Sequence, residues 1–167
     1  MNNIKLVKPK LKDLWFRAQC LSDEKTMEYN AGYNVSYQGY NYNTGCIEFK
    51  KEDYAKWYNT KFKNPNFYYA YILDVDKNNF VGYVNFNKDE KTNLATMGIV
   101  IKHEYRGYGY MRLALNQLIK KAKTAKVYAL TDTVPKTRVG ALKVFHDFGF
   151  KTTSEFEVLK FGKPEIV

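Results

Sequence analysis

One stretch constrains this chain more than any other: a strand that passes through a glycine-bearing loop directly into a helix. The strand is predicted over Leu94–Ile101, the loop contains Gly107 and Gly109, and the helix is predicted from Gly109 to Lys123. Such a loop leaves several backbone N–H groups pointing at one spot, where the helix dipole adds partial positive charge. The stretch therefore predicts a binding site for an anion.

The elements around this stretch follow from periodicity and from turn residues. Three short strands separated by polar turns predict an antiparallel meander, and the β-α-β units that follow predict parallel pairing. The fold class is thus mixed α/β (α+β), with a central, mostly antiparallel sheet and helices on both faces, in the order β-α-α-β-β-β-α-β-α-β. The predicted strands cover 2–7, 67–73, 80–86, 94–101, 127–131 and 156–161, and the predicted helices 10–20, 49–59, 109–123 and 137–148.

Length and composition limit the kind of protein. A chain of 167 residues fits one domain, predicted over 1–167, with 45% hydrophobic residues to form a core. Two cysteines, Cys20 and Cys46, are too few for a disulfide framework and lack metal-ligand spacing, so both are expected to be reduced. Neither a membrane span nor the apolar region of a signal peptide is visible, and a cytoplasmic protein is expected.

Charge divides the chain into two parts. The net charge is +10, yet residues 21–53 carry six acids against three lysines, a local balance of −3. A basic body fits an anionic ligand, and an acidic segment fits a cationic one. Residues 29–45, with three glycines and five tyrosines, predict a long ordered loop, which is more often functional than not.

Three known glycine-rich motifs are candidates for the loop. A dinucleotide fingerprint would require a third glycine at Arg112. A P-loop requires Gly-Lys followed by Ser or Thr, which is absent. The run instead resembles the acyl-CoA pyrophosphate loop of the GCN5-related N-acetyltransferases (GNAT), written Arg/Gln-x-x-Gly-x-Gly/Ala, with Arg106 in the first position, Gly109 in the fourth and Met111 in the sixth.

The resemblance extends beyond the loop. Residues 95–101 look like the splayed fourth strand of a GNAT-like sheet, and residues 141–150 look like the closing helix that ends in Gly-Phe. Gly98 interrupts the strand, which predicts a bulge or a close approach by ligand or backbone. By resemblance, the main chain of the strand would bind the pantetheine arm and the loop amides the pyrophosphate. The cofactor-binding residues so implied are Ile99, Val100, Ile101, Arg106, Gly107, Tyr108, Gly109, Tyr110, Met111 and Arg112.

The resemblance does not supply the catalytic residues. The family often has a carboxylate base two residues before the strand glycine and a tyrosine acid in the last helix, but these positions are Thr96 and Phe145 here. Candidates for the base are Glu28 and Glu24, which follow the first helix where the family binds its acceptor, and Asp132, which lies near the splay of the sheet. The missing hydroxyl is left open among four tyrosines of the long loop, Tyr33, Tyr37, Tyr40 and Tyr42.

The resulting hypothesis is an acetyl-CoA-dependent N-acetyltransferase that transfers acetyl directly to a primary amine of a small molecule or to an exposed amino group. No metal, membrane or nucleic-acid partner is expected, and a homodimer is left open. Two alternatives remain: a CoA-binding relative that acts as a sensor, and a basic module that binds nucleic acid or another anion without catalysis.

Overall fold

A five-stranded sheet forms the centre of the computed structural model, which describes residues 2–167, so that Met1 of the predicted domain lies outside the described residues. The strands lie in the order β1-β2-β3-β4-β5. Strands β1 to β4 form three antiparallel pairs, and β5 is parallel to β4. A separate antiparallel hairpin, β6–β7, follows. The strands are β1 (Ile4–Val7), β2 (Phe67–Asp74), β3 (Asn79–Lys88), β4 (Leu94–Ile101), β5 (Ala129–Thr131), β6 (Glu157–Lys160) and β7 (Lys163–Ile166), and the helices are α1 (Leu14–Ser22), α2 (Glu24–Met27), α3 (Tyr54–Lys63), α4 (Tyr110–Thr124) and α5 (Val139–Asp147).

Helices cover both faces of the sheet because the strands are apolar on both sides. Helices α4 and α5 pack on one face against side chains such as Ile72, Val84 and Met97. Helices α1 and α3 cover the other face, where the core is largely aromatic and includes Tyr69 and Tyr71. We call this second side the α1 face of the sheet. The predicted fold class, a mostly antiparallel mixed sheet between helices, is confirmed.

The predicted element order is incomplete at two places. Helix α2 was not predicted: it is a single turn in which the carboxylate of Asp23 accepts a hydrogen bond from the Thr26 amide at 3.2 Å. The last predicted strand, 156–161, is only the first half of a hairpin, because Gly162 takes a positive φ of 72° and turns the chain back. Neither strand of this hairpin joins the central sheet.

Strands β4 and β5 pair over only three residues each. The last pair joins Thr96 to Thr131, and no strand within residues 2–167 pairs with that side of β4 beyond it. The backbone of β4 from Met97 to Ile101 therefore has an open edge. This is the splay expected from the resemblance.

Of the two alternatives predicted for Gly98, the bulge is wrong, and the close neighbour is a side chain rather than the ligand or backbone expected. Gly98 pairs with Asn85 in unbroken register, and the irregularity of the sheet lies between Ile72 and Leu73 of β2. A Cβ at Gly98 would lie 3.0 Å from the side-chain nitrogen of Asn85. A side chain, rather than backbone, thus approaches the glycine.

Both cysteines are free. Burial raises the pKa of the Cys20 thiol to about 12, so this residue stays a protonated core side chain. No helix within residues 2–167 is long and apolar enough to cross a membrane.

Candidate active site

The loop before α4 presents unpaired backbone amides. Gly107 and Gly109 take positive φ values of 83° and 82°, a conformation that suits glycine, and α4 begins at Tyr110. Within residues 2–167, none of the amides from Gly107 to Arg112 donates a hydrogen bond. A Cβ added at either glycine would meet nothing within 4 Å. The amides are therefore free to bind a ligand, and the loop is not packed against other parts of the chain at its two glycines.

The start of α4 is anchored to the turn between β2 and β3. Tyr110 is 1% exposed, and its hydroxyl donates a hydrogen bond to the buried carboxylate of Asp74. The ammonium of Lys77 donates to the Tyr110 oxygen at 3.0 Å and lies 3.5 Å from Asp74. The hydrogen bond from Tyr110 lowers the pKa of Asp74, which favours the charged carboxylate. This cluster fixes the position of the first helical amides.

Arg106 supports the loop from the opposite side. Its guanidinium donates hydrogen bonds to the carbonyl oxygens of Thr26 at 2.7 Å, Lys25 at 3.1 Å and Ile101 at 3.2 Å. It also pairs with Glu28 at 3.1 Å. Because these contacts hold the guanidinium against α2 and β4, Arg106 orients the loop rather than extending into the space in front of it.

The open edge of β4 offers main chain rather than side chains. Val100 and Ile101 are buried in the cores on opposite faces of the sheet, and Ile99 packs against the same core as Ile101. The Ile101 carbonyl already accepts from Arg106. Lys102 donates its amide to the Val81 carbonyl at 3.0 Å, so the alternation of the antiparallel ladder directs the backbone of Val100 to β3 and leaves Ile99 as the implied strand residue with free main chain at the open edge.

Asp132 lies where the two strands separate. It directly follows Thr131, the partner of Thr96, and its surroundings raise the pKa of its carboxyl to about 6, chiefly through burial, which outweighs the opposing effects of the Thr133 amide and the positive charge of Arg138. The residue as a whole is nevertheless exposed to solvent. A carboxylate with such a pKa can accept a proton near neutral pH.

The other two carboxylate candidates have different surroundings. Glu24 is exposed in the first turn of α2, and Glu28 is paired with Arg106, with 70% of its side chain exposed. No hydrogen bond or ion pair within residues 2–167 joins either glutamate to Asp132. The three candidates thus have different contacts.

The four tyrosines of the long loop are also dispersed. The Tyr33 hydroxyl donates to Glu165 of β7, and the Tyr40 hydroxyl donates to the Asn30 carbonyl at 2.7 Å. Tyr37 and Tyr42 are exposed. Phe145, at the position of the usual acid, is buried in the core between α5 and the sheet.

Sequence reasoning missed Tyr29, on whose hydroxyl the charge of Asp132 acts. Tyr29 follows α2, and the guanidinium of Arg138 lies 5.2 Å from its ring centroid. Burial raises the pKa of Tyr29, and the charges of Arg138, Asp132 and Arg106 all act on its hydroxyl. The hydroxyl therefore stays protonated and can donate. No spacing marks it in the sequence, since it is one of many tyrosines in an aperiodic segment.

Residues of the described chain also show no group of three or more metal-ligating side chains. The site instead consists of a strand edge, an amide-rich loop, a carboxylate with a raised pKa and tyrosine hydroxyls. These are the parts that acyl transfer from a thioester cosubstrate requires.

Comparisons with known proteins agree with this class. The model of the acetyltransferase (GNAT) family matches residues 33–150. No curated protein matches the sequence. The spermidine N-acetyltransferase of Vibrio cholerae, solved with CoA and spermine, has a TM-score of 0.79 at 16% identity, covering 98% of this chain and 91% of that chain. A GNAT-family acetyltransferase from Streptococcus pneumoniae has a TM-score of 0.76 at 17% identity, covering 98% and 95%. The structure of yncA from Salmonella typhimurium, solved with acetyl-CoA, has a TM-score of 0.73 at 14% identity, covering 99% of this chain and 90% of that chain.

The fold and the site thus define an acyltransferase of the acetyl-CoA type. Because the family model covers most of the chain, the protein belongs to the GNAT family, and the predicted class, an acetyl-CoA-dependent N-acetyltransferase, is confirmed.

Proposed function

We propose that this protein transfers acetyl directly from acetyl-CoA to a primary amine of a small molecule or to an exposed amino group. The observation that carries the proposal is the meeting of two unpaired backbone surfaces, the amides of Gly107 to Arg112 and the open edge of β4. One suits a pyrophosphate, and the other suits the amide groups of a pantetheine arm.

The residues present fit this cosubstrate. The amides of Gly107 to Arg112 would hold the pyrophosphate, and the main chain of Ile99 would bind the arm. Arg106 and Tyr110 position the loop and the helix start from behind. Acetyl-CoA supplies the acetyl group as a thioester, the sulfur of which leaves as the new C–N bond forms.

Asp132 is the residue we propose as the base. A protonated amine cannot attack a carbonyl, and a carboxylate at the splay can take the proton that the nitrogen must lose. Its pKa of about 6 leaves it mostly ionised at neutral pH. Tyr29, which stays protonated, is the nearby hydroxyl suited to give a proton to the departing sulfur.

Purified protein with acetyl-CoA and a panel of primary amines tests the proposal, with release of free CoA thiol as the measurement. We expect acetyl-CoA to raise the melting temperature and at least one amine to stimulate thiol release. A sensor would bind acetyl-CoA without stimulated release by any amine, and a nucleic-acid module would show salt-sensitive gel retardation without a response to CoA.

Other sequence-based expectations stay predictions. These are the single domain over 1–167, the cytoplasmic location and a homodimer.

A further inference from the structure

Arg17 of α1 lies within an aromatic cage on the α1 face of the sheet, formed by Phe49, Trp57, Tyr69 and Tyr83. Its guanidinium carbon lies 4.5 Å from the ring centroid of Trp57, 5.3 Å from that of Phe49, 5.4 Å from that of Tyr69 and 5.7 Å from that of Tyr83. An arginine stays charged at any pH at which proteins fold. The cage therefore holds a permanent positive charge.

This charge lacks a carboxylate partner. Within residues 2–167, no carboxylate lies within ion-pair distance of Arg17. Its Nη1 donates to the Tyr69 hydroxyl at 3.3 Å, but its Nε is enclosed without a hydrogen-bond partner. Nη2 also makes no hydrogen bond to the described chain, but unlike Nε it is not fully enclosed. Cation–π contacts offset part of the cost of burying a charge, and an anion would offset more.

The cage adjoins the site of acetyl transfer. Across the sheet, Tyr69 pairs with Asn85, and Asn85 pairs with Gly98. Two strand spacings, about 10 Å, thus separate the strand under Arg17 from the strand that opens at the splay. Tyr83, a wall of the cage, lies on the same side of β3 as Asn85. The charges of Arg17 and Asp132 both act on the Tyr29 hydroxyl, so an acceptor with its amine at Asp132 needs only modest length to bring an anionic group to Arg17.

The nearby acids do not form a site for a polycation. Glu28 is paired with Arg106, and Asp23 is paired with His103 at 2.9 Å. The negative balance of the 21–53 segment is thus partly neutralised by cations from the loop region. Arg17 and Arg138 both contact aromatic rings, and neither forms an ion pair with a carboxylate of the described chain.

We infer that the acceptor is a primary amine that also carries an anionic group, in the simplest case a carboxylate, which Arg17 binds from the aromatic cage. The inference rests on the proposed function and names its substrate class. Arg17 acts as a specificity-determining residue, because a neutral or cationic acceptor would leave its charge without a partner.

Matched acceptors test the inference with acetyl-CoA-loaded protein. Glycine, β-alanine, γ-aminobutyrate and ε-aminocaproate are each compared with their own carboxamides, and with putrescine, cadaverine and spermidine. We expect kcat/KM for the preferred amino acid to exceed that for its carboxamide by about tenfold to a hundredfold, the range that a charge-assisted hydrogen bond provides. Equilibrium binding of the same compounds supplies a second measurement that does not require turnover.

Variants separate recognition from a structural role. Arg17→Gln should lower kcat/KM for the carboxylate far more than kcat/KM for the carboxamide and so remove the preference, and Arg17→Lys should restore part of it. Lys8→Gln is the matched control: the Lys8 ammonium lies 4.6 Å from the Phe62 ring centroid, but Lys8 directly follows β1, the strand at the far edge of the sheet. It should leave the preference unchanged.

Three outcomes would overturn the inference: equal or better use of carboxamides and diamines by the wild type, a uniform loss for all acceptors in Arg17→Gln, or an unchanged preference in that variant. If Arg17→Gln does not fold, the wild-type comparison still decides. Failure of the proposed function looks different, since acetyl-CoA would then not shift the melting temperature or no amine of any charge would stimulate thiol release.

Discussion

Thr96 and Thr131 form the last pair of the parallel ladder between β4 and β5, and the residue after this pair on the β5 side is Asp132. The carboxyl is therefore held at the point where the strands separate, next to the position at which the family usually has its base. The proposed base thus lies on the strand next to the one that usually carries it.

Asp132→Asn should lower kcat by about tenfold to a thousandfold, since general-base catalysis contributes on the order of a hundredfold or more. In the wild type, kcat/KM should rise with pH through about 6, the pKa of this carboxyl, and then level off. The variant should lose that rise. An unchanged acidic limb measured between pH 5 and pH 8 would assign the base elsewhere, with Glu28→Gln and Glu24→Gln as the comparison variants.

The same substitution should affect stability in the opposite direction. The folded pKa of Asp132 is above the unfolded value, so its contribution to stability is present at low pH and is lost as pH rises through about 6. Asp132→Asn should therefore melt at a higher temperature than the wild type at pH 8 and at nearly the same temperature at pH 4. Melting curves at the two pH values check this, and a difference that is independent of pH would contradict it.

Gly109→Ala should weaken CoA binding by about tenfold or more, since alanine disfavours the left-handed backbone conformation that sets the direction of the loop amides. Because Gly109 has a φ of 82°, the variant should also lose about 1–2 kcal/mol of unfolding free energy. Gly162→Ala is the matched control, with a φ of 72°, equally open surroundings and a position in the β6–β7 turn. It should show the same loss of stability with unchanged CoA affinity, as measured by calorimetry.

Arg106→Lys should reduce CoA affinity and lower the melting temperature by several degrees, because an ammonium cannot contact three carbonyl oxygens in the geometry of the guanidinium. Glu28→Gln breaks only the exposed ion pair of Arg106 and should cost less than about 0.5 kcal/mol. If the two variants affect CoA affinity equally, the carbonyl contacts are not what orients the loop.

The sequence predicts those helices and strands whose signals lie within one short segment of the chain. The bounds of β4 were predicted to the residue, and α4 within one residue at each end, because strand alternation, glycines and helical periodicity coincide there. The β6–β7 hairpin was half missed, since the run around Pro164 lacks strand alternation. Arg17 could not be recognised, because its cage is assembled from α3, two strands and a loop that are remote in sequence.

Tyr110→Phe tests how firmly the start of α4 must be held. The substitution removes the hydroxyl that donates to Asp74 and accepts from Lys77, and leaves the ring in place. We expect a melting temperature several degrees lower at pH 7 and weaker CoA binding, since the amides of Tyr110 and Met111 lose their fixed orientation.

The pH dependence identifies the cause. The Tyr110 hydrogen bond lowers the pKa of Asp74, so its stabilisation is present at neutral pH and is lost as pH falls below the ordinary carboxyl range. The difference between Tyr110→Phe and the wild type should therefore shrink at pH 3. Tyr128→Phe, at a tyrosine that is 84% exposed, is the matched control and should melt like the wild type at both pH values. A deficit in Tyr110→Phe that is equally large at pH 3 would indicate lost packing rather than the hydrogen bond to Asp74.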